Sequence, residues 1–275
     1  VLGGGTAGYV AAIRASQLGK KVAIVEKSLL GGTCLHKGCI PTKALLKSAE
    51  VTRTVRQSSE FGIDTSDFHI NFKKMMDRKT DIINQMHNDV QSLMQKNHID
   101  IYNGTGRIMG TSIFSPQSGT ISVEYEDGSS ELLPNQFVLI ATGSHPQTLP
   151  FLEINHQNIL SSDDILQLDT LPNSIAIVGG GVIGLEFASL LVDLNVNVTV
   201  IEADKRILPS ESKSVSTFLK DSLIERGVEF FEDYQLSEEN IIHKTDVIQI
   251  NVNKETTIEV DKILVAVGLS LIHIC

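Results

Sequence analysis

Apolar positions along this chain change their period several times, and each change marks an element. The stretch VLGGGTAGYVAAIRASQLGKKVAIVE reads as the end of an apolar strand, a glycine turn, an amphipathic helix and a β-branched strand closed by Glu26. The stretch IAIVGGGVIGLEFASLLVDLNVNVTVIE repeats the same grammar and closes on Glu202. Between the copies, Ala44 to about Ser58 continues as a helix out of the preceding segment. From Phe72 to Lys96, apolar residues fall at Phe72, Met75, Met76, Ile82, Ile83, Met86, Val90, Leu93 and Met94, the period of a helix whose methionines pack in a core. IDIYNGTGRIMG, TISVEYEDGSSELL and FVLIATG read as strands, with a hairpin turn at Asp127-Gly128. The segment from Gly227 to Gly268 predicts a strand, a small meander and a closing strand. Pro146, Pro150 and Asn155 to Ser162 predict a hinge between two globular parts.

The two repeats share more than hydropathy. Gly3, Gly5 and Gly8 form G-x-G-x-x-G in the first, and Gly179, Gly181 and Gly184 form it in the second. Each motif follows a strand, opens a helix and is completed by an acid 23 residues after its first glycine (26 − 3 and 202 − 179). That is the full context of a dinucleotide site. Glycines let the backbone approach a pyrophosphate at the helix N-terminus, and the acid accepts hydrogen bonds from ribose hydroxyls. An ordinary glycine-rich crossover explains one copy less well and two copies hardly at all. Two dinucleotides in one chain imply electron transfer, most naturally between a flavin and a nicotinamide. Glu202 repels the 2′-phosphate of NADP and favours NAD, with Lys205 and Arg206 nearby weakening that preference.

Composition removes other classes. The net charge of −10 argues against nucleic-acid and anionic-membrane partners. No apolar run approaches the roughly 20 residues of a membrane span, and the residues ahead of the first glycine turn show no charged-then-apolar leader pattern. Three cysteines in 275 residues are too few for a secreted disulfide scaffold, so a reducing cytoplasm is the expected compartment. Two of the three, Cys34 and Cys39, enclose four residues. A staple over so short a loop contributes only about 2 kcal/mol. A zinc site lacks a second Cys/His cluster, so no metal is expected. A redox dithiol is the best account. Pro41 suits the first turn of a helix running through TKALLKSAE. That places Cys39 at a helix N-terminus, which favours a thiolate, and Lys43 one turn on along the same face. His36 is expected to face solvent from the loop.

The stretch GGTCLHKGCIPTK resembles the redox-active disulfide of the flavin-dependent pyridine nucleotide–disulfide oxidoreductases. With VEKSLLGGTCLHKGCIPTKALL, GGGVIGLEFAS and VIEADKRILP, the chain is most similar to the members that oxidise dihydrolipoamide. The likeness runs from Val1 to Gly268. It implies an α/β fold with two Rossmann-like domains, FAD then NAD, and a β-meander in each. The FAD-binding domain would cover 1–150, the NAD-binding domain 151–268, and 269–275 would be a tail outside the family.

The resemblance also implies roles. Gly3, Gly5, Gly8 and Glu26 would bind the ADP part of FAD, and Lys27, Gly32, Thr33, Cys34 and Lys43 the rest of the flavin. Gly106, and Thr142, Gly143 and Ser144 of ATGSHP, would add FAD contacts. Gly179, Gly180, Gly181, Val182, Ile183, Gly184, Glu202 and Gly268 would hold NAD. Glu186 would lie near the flavin–nicotinamide contact and pair with Lys43. The implied relay begins with attack of a dihydrolipoyl thiolate on the sulfur of Cys34. Thiol exchange then releases oxidised lipoyl, and Cys39 passes the electron pair to FAD and on to NAD⁺ as hydride. Implied partners are the lipoyl domain and E2 core of a 2-oxoacid dehydrogenase complex and a second copy in a homodimer.

The family pattern breaks after AVG, where the chain reads LSLIHIC. Neither a Gly-Asp flavin segment nor a C-terminal interface domain with its His-Glu base follows, and Cys275 is not counted as a redox residue. The expectation is an internal piece of a longer enzyme that, expressed alone, binds FAD weakly and lacks lipoamide activity. The alternatives are another disulfide reductase, of the glutathione or mercuric type, and a non-catalytic dinucleotide-binding module.

Overall fold

The computed structural model describes residues 1–65, 67–110, 119–245, 247–253 and 256–272. The first half runs α1 (Thr6–Gln17), β1 (Ala23–Glu26), α2 (Gly32–Lys37), α3 (Cys39–Arg56), α4 (Phe72–Lys96), β2 (Asp100–Asn103), β3 (Thr105–Ile108), β4 (Ile121–Glu124) and β5 (Ser130–Leu133). It continues through β6 (Ser144–Pro146), β7 (Ile159–Leu160), α5 (Ser162–Ile165), β8 (Ser174–Val178), α6 (Val182–Asp193) and β9 (Asn197–Ile201). The chain closes with α7 (Lys213–Glu225), β10 (Glu229–Phe231), β11 (Ile241–His243), β12 (Ile248–Asn251), β13 (Thr257–Val260), β14 (Lys262–Val265) and β15 (Leu269–Leu271). It divides into two units. The first comprises 1–40, 81–145 and 271–275, and the second 41–80 and 146–270.

In the first unit, β1 pairs parallel with β2, from Ala23 on Asp100 to Glu26 on Asn103. Val1 and Leu2 extend this sheet: Leu2 bridges Val25 on one side and Ile140 on the other. Ala12 of α1, Ile24 of β1, Leu30, Leu35 of α2, and Val90 and Met94 of α4 form one core cluster under it. The hairpin turn lies where Asp127-Gly128 placed it, with Gly128 at φ +82° and Gly128 N–H donating to Tyr125 O at 3.0 Å. The strands on either side complete an antiparallel meander, β3-β4-β5.

The second unit holds a five-stranded parallel sheet in the order β10-β9-β8-β14-β7. Its strands read as continuous apolar runs because both faces are covered. Ile175, Ala176 and Ile177 are wholly inaccessible. Crossover helix α6 follows β8 and leads to β9, the hallmark of a dinucleotide-binding unit. A second antiparallel meander, β11-β12-β13, packs Ile248, Ile250 and Val260 with Leu152 and Ala176.

The units do not follow a single cut near residue 150. Residues 41–80 belong with 146–270, because Leu45 and Ala49 of α3 are buried in one cluster with Leu190 and Leu191 of α6, and Phe72, Met75 and Met76 of α4 pack on it. Two sequence expectations change. FVLIATG forms no regular strand: Leu2 donates to Leu139 O and accepts from Ala141 N (2.9 and 2.8 Å), and the ladder ends there. Phe137 and Ile140 stay exposed. The expected hinge at Asn155–Ser162 is instead ordered structure. Asn155 Oδ1 accepts the N–H groups of Gln157, Asn158 and Ile159, and β7 is buried against β14.

Candidate functional site

The two glycine turns are built alike to the atom. Gly3 and Gly179 have φ of +97° and +111°. A Cβ on Gly3 would lie 2.2 Å from Ala141 O, and one on Gly179 would lie 2.4 Å from Ala266 O. A Cβ on Gly8 or Gly184 would lie 1.8 or 2.1 Å from the carbonyl oxygen of Gly3 or Gly179. These four positions therefore admit no side chain. Gly5 and Gly181 are the N-caps of α1 and α6, both extended and without a side-chain cap, so the first-turn N–H groups face outward. Around Gly181, an added Cβ would meet nothing within 4 Å. Its glycine is unexplained by packing and fits a site where an anion comes close to the backbone.

Each terminal glutamate is locked onto its own turn. Glu26 accepts Gly4 N–H at Oε2 (2.6 Å) and Ser28 N–H at Oε1 (2.8 Å). Glu202 accepts Gly180 N–H at Oε2 (2.5 Å) and Asp204 N–H at Oε1 (2.7 Å). A carboxylate oxygen can accept two donors, so each Glu keeps lone pairs for ribose hydroxyls. In the second unit a cavity of about 550 Å³ opens over this arrangement, lined by Gly181, Glu202, Asp204, Pro209 and Gly268 among others. Val182 and Ile183 complete its helix side. Arg206, which in the sequence weakened the preference for NAD, is occupied: its guanidinium donates to the carbonyls of Leu208, Pro209 and Glu211. It holds the loop and does not reach for a phosphate.

In the first unit, Thr142 Oγ1 is buried with no hydrogen-bond partner among the described residues. It follows Ala141, whose carbonyl oxygen faces Gly3. An orphan hydroxyl beside a side-chain-free turn fits a bound polar group. Gly143 (φ +80°) and Ser144 follow it. Gly106 lies in β3, where a Cβ would meet Leu2 at 2.5 Å, so sheet packing accounts for that glycine. Lys27 follows β1, and Gly32 and Thr33 open α2.

Cys34 lies in α2 and Cys39 opens α3, both as free thiols, the first partly buried and the second exposed. Burial foremost, and then the hydrogen bond and charge of Cys39, push the Cys34 thiol above its ordinary value; Thr6 opposes this with a hydrogen bond. Thr6 is the first residue of α1. The cysteine pair therefore touches the first glycine turn, a contact not visible in the sequence. His36 does not face solvent. Its Nε2 lies 2.8 Å from Leu30 O, and His87 Nδ1 lies 3.0 Å from the same oxygen. In the second unit, Lys43 of α3 bonds Glu186 of α6. Among the described residues no cluster of three or more His, Cys, Asp or Glu could hold a metal; Cys275 lies outside them.

Comparison with known proteins accords with this geometry. The sequence profile of the pyridine nucleotide-disulphide oxidoreductases matches residues 1–273, running past the Gly268 at which the family-like stretch was expected to end. A dihydrolipoyl dehydrogenase of Bacillus subtilis (strain 168) is 50% identical over 273 residues, covering 98% of this chain and 57% of that protein. The HOCl-induced flavoprotein disulfide reductase RclA of Escherichia coli superposes with a TM-score of 0.79 at 26% identity, over 98% of this chain and 56% of RclA. LpdA of Mycobacterium tuberculosis shares the fold with a TM-score of 0.86 at 24% identity, over 98% and 58% of the two chains. The chain thus spans little more than half the length of each of these three proteins.

Proposed function

The chain belongs to the pyridine nucleotide-disulphide oxidoreductase family, and from that premise we propose that it is the dinucleotide-binding portion of a flavin-dependent dihydrolipoyl dehydrogenase. The observation that carries this is the pair of contacts made by Cys34, to Cys39 and to Thr6 at the first glycine turn. They seat a thiol couple against a dinucleotide cradle.

In the oxidised enzyme a dihydrolipoyl thiolate attacks Cys34 Sγ, the Cys34–Cys39 bond breaks and Cys39 leaves as the thiolate. The second dihydrolipoyl thiol then displaces Cys34, closing the lipoyl disulfide and leaving two electrons on the cysteine pair. Bound on the turns of the first and second units respectively, FAD and NAD⁺ would supply the acceptors that reoxidise the pair and carry away a hydride. Gly3, Gly8 and Glu26 shape the first turn, and Gly179, Gly184 and Glu202 the second. Glu202 sets the preference for NAD by repelling a 2′-phosphate. Lys43 and Glu186 form a charge pair on the second unit suited to orienting a polar ring system.

The partners we propose are a lipoyl domain on the E2 core of a 2-oxoacid dehydrogenase complex and a second copy of the full-length protein, in the reducing cytoplasm. Among the described residues no helix is long and apolar enough to cross a membrane.

The test is made on the full-length protein. Dihydrolipoamide and NAD⁺ should turn over, glutathione disulfide and NADPH should not, and Cys34→Ser or Cys39→Ser should abolish turnover while flavin stays bound. A colourless protein, or a Cys34→Ser variant with full activity, refutes the assignment. Preferential reduction of glutathione disulfide would move it to another branch of the family.

A further inference from the structure

Leu30 ends the segment that leads into the redox turn, and its carbonyl oxygen is contacted by two histidines from different helices. His36, on α2, places Nε2 at 2.8 Å. His87, on α4 and 57 residues beyond Leu30, places Nδ1 at 3.0 Å. The rings meet edge to face, with centroids 5.4 Å apart and planes at 62°. A carbonyl oxygen carries two lone pairs and no proton, so both rings must donate. The tautomers follow: His36 is protonated on Nε2 and His87 on Nδ1.

What this oxygen precedes is a pair of left-handed glycines on the way to the first thiol. Leu30 itself is fixed, 4% exposed in a cluster with Leu35, Val90 and Met94. Directly after it come Gly31 and Gly32, at φ +114° and +63°, residues with the widest conformational freedom in the chain. Gly31 N–H is tied to Gly4 O at 2.8 Å. Two residues further on is Cys34. The Gly31 bond, the buried side chains of Leu30 and Leu35 and the Thr6 hydrogen bond on Cys34 also hold this segment, and the two imidazole N–H donors add the fixing of its leading carbonyl.

We propose that His36 and His87 are positioning residues that clasp the Leu30 carbonyl and hold Cys34 in bonding register with Cys39. The proposal rests on the redox reading above. Neither histidine touches a reacting atom. The clasp acts by raising the effective concentration of one sulfur at the other, which favours the disulfide over the dithiol.

The experiment equilibrates the full chain with mixtures of reduced and oxidised dithiothreitol, then alkylates and weighs the products. Cys34 and Cys39 give up two protons and two electrons and form one S–S bond; oxidised dithiothreitol takes them up and opens its own. His87→Leu should lower the equilibrium constant for disulfide formation about three- to tenfold, the worth of one lost hydrogen bond, or roughly 14–30 mV for a two-electron couple.

The rescue is position-specific. His87→Asn restores a donor where Nδ1 sat, and His36→Gln restores one where Nε2 sat, so both should stay within twofold of wild type. His87→Gln and His36→Asn should behave like His87→Leu. Should His87→Leu fail to fold, the His36→Gln and His36→Asn pair gives the same reading. Equal constants for His87→Leu and wild type overturn the clasp alone. A wild-type chain that forms no Cys34–Cys39 disulfide overturns the redox reading and the clasp together.

Discussion

Asp193 ends α6 and is 4% exposed, a carboxylate both buried and set at the unfavourable end of a helix dipole. It survives there because Arg53 of α3 donates to Oδ2 at 2.8 Å, while Arg226 Nε reaches Oδ1 at 3.1 Å and its Nη2 lies 2.9 Å from Oδ2. Arg56 donates to the Asp193 carbonyl at 3.2 Å. Replacing Asp193 with Ala leaves two guanidinium groups facing each other. Burial already weakens the hold of Arg226 on its proton, Asp193 counters it, and Arg53 adds repulsion. Breaking a buried ion pair from one side costs about 3–5 kcal/mol. With the Arg53 side chain 33% exposed and that of Arg226 18%, solvent screening puts the expected cost at the low end, about 3 kcal/mol. With a urea m-value near 2–3 kcal/mol/M, the midpoint followed by circular dichroism should fall by about 1 M. The control is Lys47→Ala, whose partner Glu50 is exposed, and which should move the midpoint by less than about 0.3 M. An Asp193→Ala midpoint no lower than that of the control refutes the reasoning, since the cluster would then behave as surface charge.

Four further outcomes follow from other contacts. Gly184→Ala should destabilise the second unit by more than about 3 kcal/mol, because its Cβ has no space beside Gly179 O. Gly181→Ala should stay within about 1 kcal/mol and lose NADH affinity, as denaturation and calorimetric titration would read separately. Alkylation of Cys34 should have its pH midpoint above that of free cysteine, and Cys39→Ser should bring it down, leaving the part due to burial. For Asp164, burial favours the neutral acid, but the Ser161 hydroxyl and amide and His156 outweigh it and hold the carboxyl below its usual range. A depressed carboxylate stabilises the fold above its unfolded pKa, near 3.9, and that contribution is lost as the pH falls through the folded value. Ser161→Ala should therefore cost about 1 kcal/mol at pH 7 and flatten the acid limb of a stability–pH curve below pH 4.

What the sequence determined by itself was local. A strand, a glycine turn, a helix and a closing acid lie within 23 residues, and α4 follows a 3.6-residue period from Phe72 to Lys96. Such features depend on backbone sterics and on which face is apolar, and neighbouring residues settle both. The thiol pair and its place at the head of α3 were legible for the same reason. Contacts between remote segments were left to the tertiary structure. Ala141 and Ala266 closing on the two turns, Thr6 on Cys34, His87 on Leu30 and Arg53 on Asp193 join residues with no shared period. The short-range pattern also misjudged FVLIATG and Asn155–Ser162. FVLIATG makes an isolated bridge at Ile140 and no regular strand, and an asparagine-rich loop is ordered once its side chain caps three amides. Hydrophobic order along a chain says which residues turn inward. Which inward-facing groups meet is decided by packing, where one buried oxygen can gather two histidines that the sequence keeps far apart.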